Sequence, residues 1–392
     1  PEARLFAGYH RLYRRGQWDA LLQRASRQPL ADPVAQFMVN HALCQQGRLL
    51  EGMFHYPQVW GTRGLLLDLP DFAAYARRAL YDSDAYFALG HVNAAYKLAY
   101  NDVYVRGETY GNLRRIAECM LANGNVGIAA KYLRILEGTL FHRTFARQYQ
   151  KLLADPDALD RRFAELRSRR PTVEVEVGLG DYACLLALVE SNPRNRMAFD
   201  YLAAWCLLDK AALPLVAENP GRFREVGYPR LPAHAQEALL VWGRKSGTRA
   251  PGEAAGVETG TRLRFQRFEQ EAQRYAGRSA AEVGLRPAFG NTYMYYYLVV
   301  PIPLEGAAAS NWLTLGNELY VQGETEDAIS CFRQALLRDP RSSLAHARLA
   351  EALSGQGQGE EAHGHYLEAL RDAPDSKQAE RLPYRADQMP SH

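Results

Sequence analysis

Residues Ser310 to Asp375 superpose on themselves at a spacing of 34 residues. Leu315 pairs with Leu349, Gly316 with Ala350, Leu319 with Leu353 and Gly323 with Gly357. Ala328 pairs with Ala362, Phe332 with Tyr366, Ala335 with Ala369 and Pro340 with Pro374. Each copy is two helical runs broken by a glycine and closed by a proline. Small residues recur where two helices must approach closely. A register kept at eight positions commits this part of the chain to stacked helix–turn–helix units.

With Trp312 in the early aromatic position, the tandem resembles tetratricopeptide repeats. The resemblance implies protein recognition on a concave face, here offered by Leu313, Asn317, Tyr320, Leu344, Ala347 and Glu351. Such a mixed face suits a helix or an extended peptide. Repeats that clamp a peptide C-terminus place basic residues and amides around the terminal carboxylates. Asn317 falls in one such position, but Leu313 stands where a base is needed and Glu351 where an amide is needed. A carboxylate-clamp ligand is therefore excluded. A competing reading gives the pair no ligand and lets it close the end of a longer solenoid, because two repeats alone are short of a stable array.

The rest of the chain is expected to be the same kind of stacking. Gly90 and Gly124 are 34 apart, and Ala95 and Ala129 repeat at the same spacing. SDAYFALGHVNAAYKLAY and RIAECMLANGNVGIAAKYLRIL share the outline helix, glycine turn, helix. The expected fold is all-α, a right-handed α-solenoid of helix–turn–helix units. Residues 1–244 form a degenerate repeat-like domain, 245–262 a linker, and 263–308 a helix and aromatic segment closing the large domain. Residues 309–376 form the two repeats and 377–392 a disordered tail. KSGTRAPGEAAGVETGTR identifies the linker by its four glycines and lack of period. PTVEVEVGLGD alternates at period 2, but a lone strand leaves its edges unpaired, so it is read as a connector. FHYPQVWGTRG is read as loop with three aromatics to bury. FGNTYMYYYLVV reads as the last buried element of the large domain, against the alternative of a membrane-surface patch spanning Met294 to Leu304.

Composition removes several classes of function. A net charge of +3 with interspersed signs argues against nucleic acid, and the basic run Arg161 to Arg170 reads as a solvated helix end. No 18-residue apolar window exists, so no membrane span is expected in this chain. Five scattered cysteines, Cys44, Cys119, Cys184, Cys206 and Cys331, have no metal-ligand spacing and read as buried thiols. No phosphate-binding loop, nucleophile elbow or zinc-binding HExxH occurs. Gly178 to Gly180 is too short for a dinucleotide loop, and Asp68 and Asp71 read as a solvated turn. His363 and His365 are two apart on a helix and face different sides. Glu118, Cys119 and His142 could be drawn as a nucleophile set on residue type alone; a core role for Cys119 explains it better. No cofactor, metal or small-molecule substrate is expected.

Several segments taken in order, WDALLQRA, VNHALCQQGRLLEGMFHYPQ, GLLLD, YFALGHVNAAYKLAY, AAKYLRILEGTLFHR, NRMAFDYLAAWCLLDK and FGNTYMYYYLVV, carry a second likeness. Residues 5–300 resemble an uncharacterised family of bacterial proteins in which a multi-pass membrane region precedes a helical soluble domain. The resemblance implies membrane spans N-terminal to Pro1 and a membrane-associated location, on a side the sequence does not specify. The expected function is a non-enzymatic protein-interaction scaffold or accessory subunit of a membrane complex. The alternative is a substrate-presenting domain of a multi-pass glycosyl- or lipid-modifying enzyme whose chemistry lies in those spans.

Overall fold

The computed structural model describes residues 2–30, 32–67, 72–176, 181–210, 213–247, 256–275, 278–300, 312–313, 316–317, 319–320, 325–338 and 342–371. Every regular element among them is helical. The chain divides into two compact units, Pro1–Pro303 and Leu304–His392.

The first unit opens with α1 (Glu2–Arg14), α2 (Trp18–Arg27), α3 (Pro33–Gln45) and α4 (Leu49–Gly52). Asp32 caps α3 by accepting from the Ala35 N–H at 2.9 Å, and Pro33 fills the first turn, where no N–H is needed. Eleven consecutive residues of α3, Val34 to Cys44, are buried. A helix buried on all sides lies at the centre of its domain. Its polar residues are satisfied by an amide network. Gln58 Oε1 accepts from Gln36 and Asn40, both at 3.0 Å, while Gln58 Nε2 donates to Asn40 Oδ1 and to the Met53 carbonyl. The network pins the irregular segment after α4, which contains two short 3₁₀ turns at Met53–His55 and Gly61–Gly64. The expected loop is thus a tied strap. It buries Phe54 fully, with Tyr56 and Trp60 half-buried.

Next comes a run of antiparallel hairpins: α5 (Phe72–Ala88), α6 (Val92–Arg106), α7 (Tyr110–Ala122), α8 (Val126–Glu137), α9 (Arg143–Leu153) and α10 (Pro156–Ser168). Ala95 and Ala129, paired by the 34-residue spacing, are both fully buried. One turn recurs at the hairpins. At Gly16, Gly47, Gly90 and Gly124 the glycine has positive φ and donates to the carbonyl three residues back. The following N–H reaches the carbonyl five back, as His91 does to Tyr86 and Asn125 to Met120. Gly357 in the second unit makes the same pair of bonds.

The remaining helices are α11 (Asp181–Ser191), α12 (Arg196–Leu208), α13 (Leu213–Ala217), α14 (Arg222–Glu225), α15 (Ala233–Ser246), α16 (Thr259–Ala272), α17 (Arg278–Phe289) and α18 (Tyr293–Leu298). They fold back over the start of the chain. α12 packs on α3 and α4, and α15 packs on α4. Tyr201 reaches His41 at 3.1 Å across 160 residues, and the Ala233 N–H donates to Glu51 at 3.0 Å. An array whose hairpins touch only their sequence neighbours does not describe this unit. The stacking read from Gly90 and Gly124 is local to its middle.

Two boundaries move. α15 extends to Ser246, and α16 begins at Thr259, so the last four residues of the expected linker are helix and Val257 is buried; residues 248–255 lie outside the described set. Tyr293, Met294, Tyr295, Tyr296 and Val299 are buried, and Phe54 packs on both Tyr293 and Tyr296. That overturns the membrane-surface reading for residues 294–300; Pro301 to Leu304 lie outside the described set. Residues 171–176 form no strand. Asp68, Asp71, Gly178 to Gly180, Leu315, Gly323, Pro340, Pro374 and the tail lie outside the described residues.

In the second unit the helices Thr325–Arg338, Ser343–Gly355 and Gly359–Arg371 stack in order. The repeat spacing is visible as packing. A Cβ on Gly316 would stand 2.4 Å from the Phe332 ring, and their counterparts one repeat on, Ala350 and Tyr366, form a buried contact.

Candidate interaction surface and buried polar groups

The middle helix of the second unit, Ser343–Gly355, lies between its two neighbours. Ser343, Ala345, His346, Ala347, Leu349, Ala350, Ala352 and Leu353 are all buried. It leaves at least partly uncovered a line of Leu344, Arg348, Glu351 and Gly355, at helical spacings of four, three and four, with Ser354 to one side. Leu344 is 44% exposed. Arg348 donates to Glu351 at 2.8 Å, both half-buried. Ala347, expected on this face, is 0% exposed and packs on Ala369 of the following helix. It lies only about 40° from Glu351 and about 60° from Leu344 around the helix, on the edge that the following helix covers. Arg348 is the residue that sequence reasoning missed, and counting four and seven from Leu344 finds it.

Leu313, Asn317 and Tyr320 are half-buried. Leu313 and Tyr320 also pack against the cluster of Ala328, Phe332, Leu349 and Leu353. Burial raises the Tyr320 hydroxyl above the usual phenol range, and the Glu351 carboxylate adds to the rise. The face therefore combines an exposed Leu344, an edge of Tyr320 and a mutually compensated Arg348–Glu351 pair. It can take an apolar side chain beside a polar backbone, and it carries no surplus charge for a carboxylate.

His346 and His365 bring their Nδ1 atoms to 3.0 Å, and His365 Nε2 lies 3.9 Å from Glu361. Burial and then the His346 neighbour lower the His365 pKa. His363 is exposed on another side of the helix. Among the described residues no group of three or more His, Cys, Asp or Glu is placed to hold a metal ion.

The large unit buries several charged groups. Asp84 accepts from Arg115 at 2.6 Å, Arg14 at 3.2 Å and Tyr13 at 3.3 Å. Glu118 accepts from Arg114 at 3.0 Å and Tyr149 at 3.2 Å, and forms an ion pair with Arg115 at 3.0 Å. Burial would raise the Asp84 pKa, but Arg115 and Arg14 outweigh it and hold the carboxyl below its usual range. The network joins α1, α5, α7 and α9, and every carboxylate in it has a cationic partner. A second group surrounds Glu237, which accepts from the Tyr293 N–H at 2.7 Å and lies 3.2 Å from His234 Nδ1. Glu237 thereby caps the first turn of α18, whose N-cap Thr292 accepts from Tyr295.

The nucleophile set drawn from residue type does not assemble. Cys119 is fully buried, and burial pushes its thiol up to about 12, far from a thiolate at neutral pH. His142 is in the α8–α9 turn, stacked on Tyr110 with ring centroids 3.7 Å apart. All five cysteines are free and buried.

The architecture defines the class: among the described residues the chain is all-helical, with a helix–turn–helix repeat pair in its second unit. The family model described as tetratricopeptide repeat matches residues 313–377. A second model, described as a family of unknown function (DUF6057), matches residues 2–300, and the chain belongs to that family. No curated protein matches the chain.

Proposed function

We propose that the protein is a non-enzymatic interaction scaffold, an assembly or accessory subunit of a bacterial membrane-associated complex. The observation that carries this reading is the uncovered line Leu344, Arg348 and Glu351 beside Tyr320, on a repeat type that generally mediates protein–protein contacts. In this reading the hairpins α5–α8 and the C-terminal pair are solenoid segments, and the groove of the pair takes a helix or an extended peptide. The buried acid–base groups act as bonds between helices, which favours a structural use over catalysis. The membrane placement follows from the resemblance of residues 5–300 to proteins with preceding spans.

Cross-linking mass spectrometry on the full chain in a cell lysate tests it. Partner cross-links to the repeat pair are expected in the wild type and lost in a Leu344→Arg, Arg348→Glu variant. Retention of the same partners by the variant, or capture of none by the wild type, would overturn the reading.

A further inference from the structure

Half of the strongly exposed large hydrophobic side chains among the described residues lie between Tyr100 and Phe141. The three most exposed of these are Tyr104 at 90%, Phe141 at 84% and Leu140 at 80%. The topology brings them to one end of the hairpin stack. α6 and α8 both run antiparallel to α7, so their C-terminal ends point the same way. Tyr104 is in the last turn of α6, and Leu140 and Phe141 are in the turn that follows α8. Tyr110, at the start of α7, stacks on His142 and ties the two turns together.

Both turns are built to hold that end in place. Asp102, fully buried, accepts from Arg106 at 2.6 Å and from Asn112 at 2.9 Å. Asn112 and Thr109 form a capping box on α7. Thr139 donates to the Leu136 carbonyl at 2.7 Å and accepts from the His142 N–H at 3.3 Å. Leu140 and Phe141 are thus presented outward by a closed turn.

Behind the tip the same two helices show tyrosine and isoleucine among basic residues. Tyr96, Tyr100 and Tyr104 recur every four residues on α6, and exposure rises toward the shared end. Ile128, Tyr132 and Ile135 form the matching line on α8, where burial first, and then the nearby Tyr96 and Tyr100, raise the Tyr132 hydroxyl above the usual phenol range. α6, α8, their following turns and the start of α9 carry Lys97, Arg106, Lys131, Arg134, Arg143 and Arg147. Against them stand Glu108, Glu137, which takes Arg147 and Gln150, and the buried Asp102. A projecting apolar tip backed by tyrosines and an excess of bases matches the layers of an anionic bilayer surface. Leucine and phenylalanine enter the acyl boundary, tyrosines sit at headgroup depth, and lysine and arginine meet lipid phosphates. A second copy of the chain would bring like charge against like charge.

We infer that the α6–α8 end of the large unit, with Tyr104, Leu140 and Phe141 at its tip, docks on an anionic lipid surface. The inference concerns a surface separate from the repeat groove, and a vesicle assay on the purified chain needs no protein partner, so either reading can fail alone. The test is co-sedimentation of the full chain with vesicles of phosphatidylcholine alone or mixed with phosphatidylglycerol. Binding is expected to the anionic vesicles and to weaken with salt. Tyr104→Ser, Leu140→Ser, Phe141→Ser together are expected to weaken it by about an order of magnitude or more. Lys97→Glu with Lys131→Glu should remove the preference for anionic lipid. Phe141→Trp should give a blue-shifted emission on vesicle addition, a readout that needs the site intact. Circular dichroism confirms that the serine variant is folded, as expected for side chains this exposed. Three results would each overturn the inference: failure of the wild type to bind either vesicle, unchanged binding by a folded triple variant, or no emission shift when the Phe141→Trp variant binds. The first of them would leave a protein surface as the occupant.

Discussion

Asp200 on α12 provides a test of the core that needs no partner. It is 2% exposed, accepts from the Tyr228 hydroxyl at 2.7 Å, and has Arg196 only at 3.9 Å, with that guanidinium lying over the Tyr228 ring. Burial raises its pKa to about 7, against the lowering effects of Tyr228 and Arg196. An unfolded aspartate titrates near pH ~4. Between about pH 4 and about pH 7 the folded chain therefore holds a proton that the unfolded chain has lost, and stability from this group falls as pH rises through that window. A shift of roughly three units corresponds to about 4 kcal/mol in full. Asp200→Asn keeps the shape and the acceptor for Tyr228 but cannot ionise. The measurement is guanidinium unfolding of wild type and variant from about pH 4.5 to about pH 8, followed by tryptophan emission, since Trp18, Trp60, Trp205 and Trp242 all lie in the large unit. The wild type should lose about 1.4 kcal/mol per pH unit relative to the variant up to about pH 7, then run parallel to it. Burial lowers His41 and His91 to about 4, so both destabilise the fold as pH drops below the ordinary histidine range; they do so in both proteins and cancel in the difference. A flat difference, or one in which the wild type gains on the variant as pH rises, would refute the argument, the latter by showing that Arg196 outweighs burial.

Other substitutions test separate links. Arg115→Met strips Asp84 and Glu118 of their shared buried cation and should cost about 3 kcal/mol or more in chemical denaturation. Gly90→Ala and Gly124→Ala change the same turn position in different surroundings. A Cβ at Gly90 would stand 2.6 Å from the Arg169 carbonyl, whereas at Gly124 the space is open, so the second should cost about 1 kcal/mol and the first clearly more. Gly316→Ala should unfold the repeat pair at lower denaturant than wild type, because Phe332 blocks the methyl, while Ala350→Gly should have a smaller effect; hydrogen exchange over residues 325–371 reads both. A thiol reagent added to native protein should modify none of the five cysteines until the chain unfolds, and fast reaction of any one would contradict its burial.

The C-terminal hairpins were legible because their register is a packing rule: the residue pairs Gly316–Phe332 and Ala350–Tyr366, related by the 34-residue spacing, both meet at a helix crossing. Ala347 shows the limit of that logic. Spacing places a residue on a helix, but which sides of the helix are covered depends on what packs around it, and on Ser343–Gly355 the following helix covers Ala347 while Leu344 stays exposed. The large unit was harder. Gln36, Asn40, His41 and Gln45 give α3 the polar marks of a surface helix, yet the first three are buried and satisfied by Gln58, by the Gly64 carbonyl and by Tyr201. Those partners come from a strap and from a helix 160 residues away, so no local window contains them. The aromatic segment Tyr293 to Tyr296 is legible as core because aromatics packed this densely carry too much apolar area to leave in water, and the fold buries all four residues.

One turn chemistry serves both units, and its use separates them. A left-handed glycine with its two return bonds reverses a helix within a few residues and specifies nothing about what lies beyond. In the C-terminal pair the helix Ser343–Gly355 is covered by the helices on either side and by Leu313 and Tyr320, and Leu344, Arg348, Glu351 and Gly355 stay at least partly uncovered. Around α3 the same turns at Gly16 and Gly47 produce hairpins whose faces are covered by α12 and α15, and the open surface moves outward to α6 and α8. The side chains follow that division. Where the hairpins are covered, Gln36, Asn40 and Asp84 are buried and paired; where they are not, tyrosine, isoleucine and lysine remain uncovered. A chain that kept such a surface only by accident would tolerate serine at Tyr104, Leu140 and Phe141 with no change in anything but solubility, and it is the vesicle measurement on the folded variant that separates accident from use.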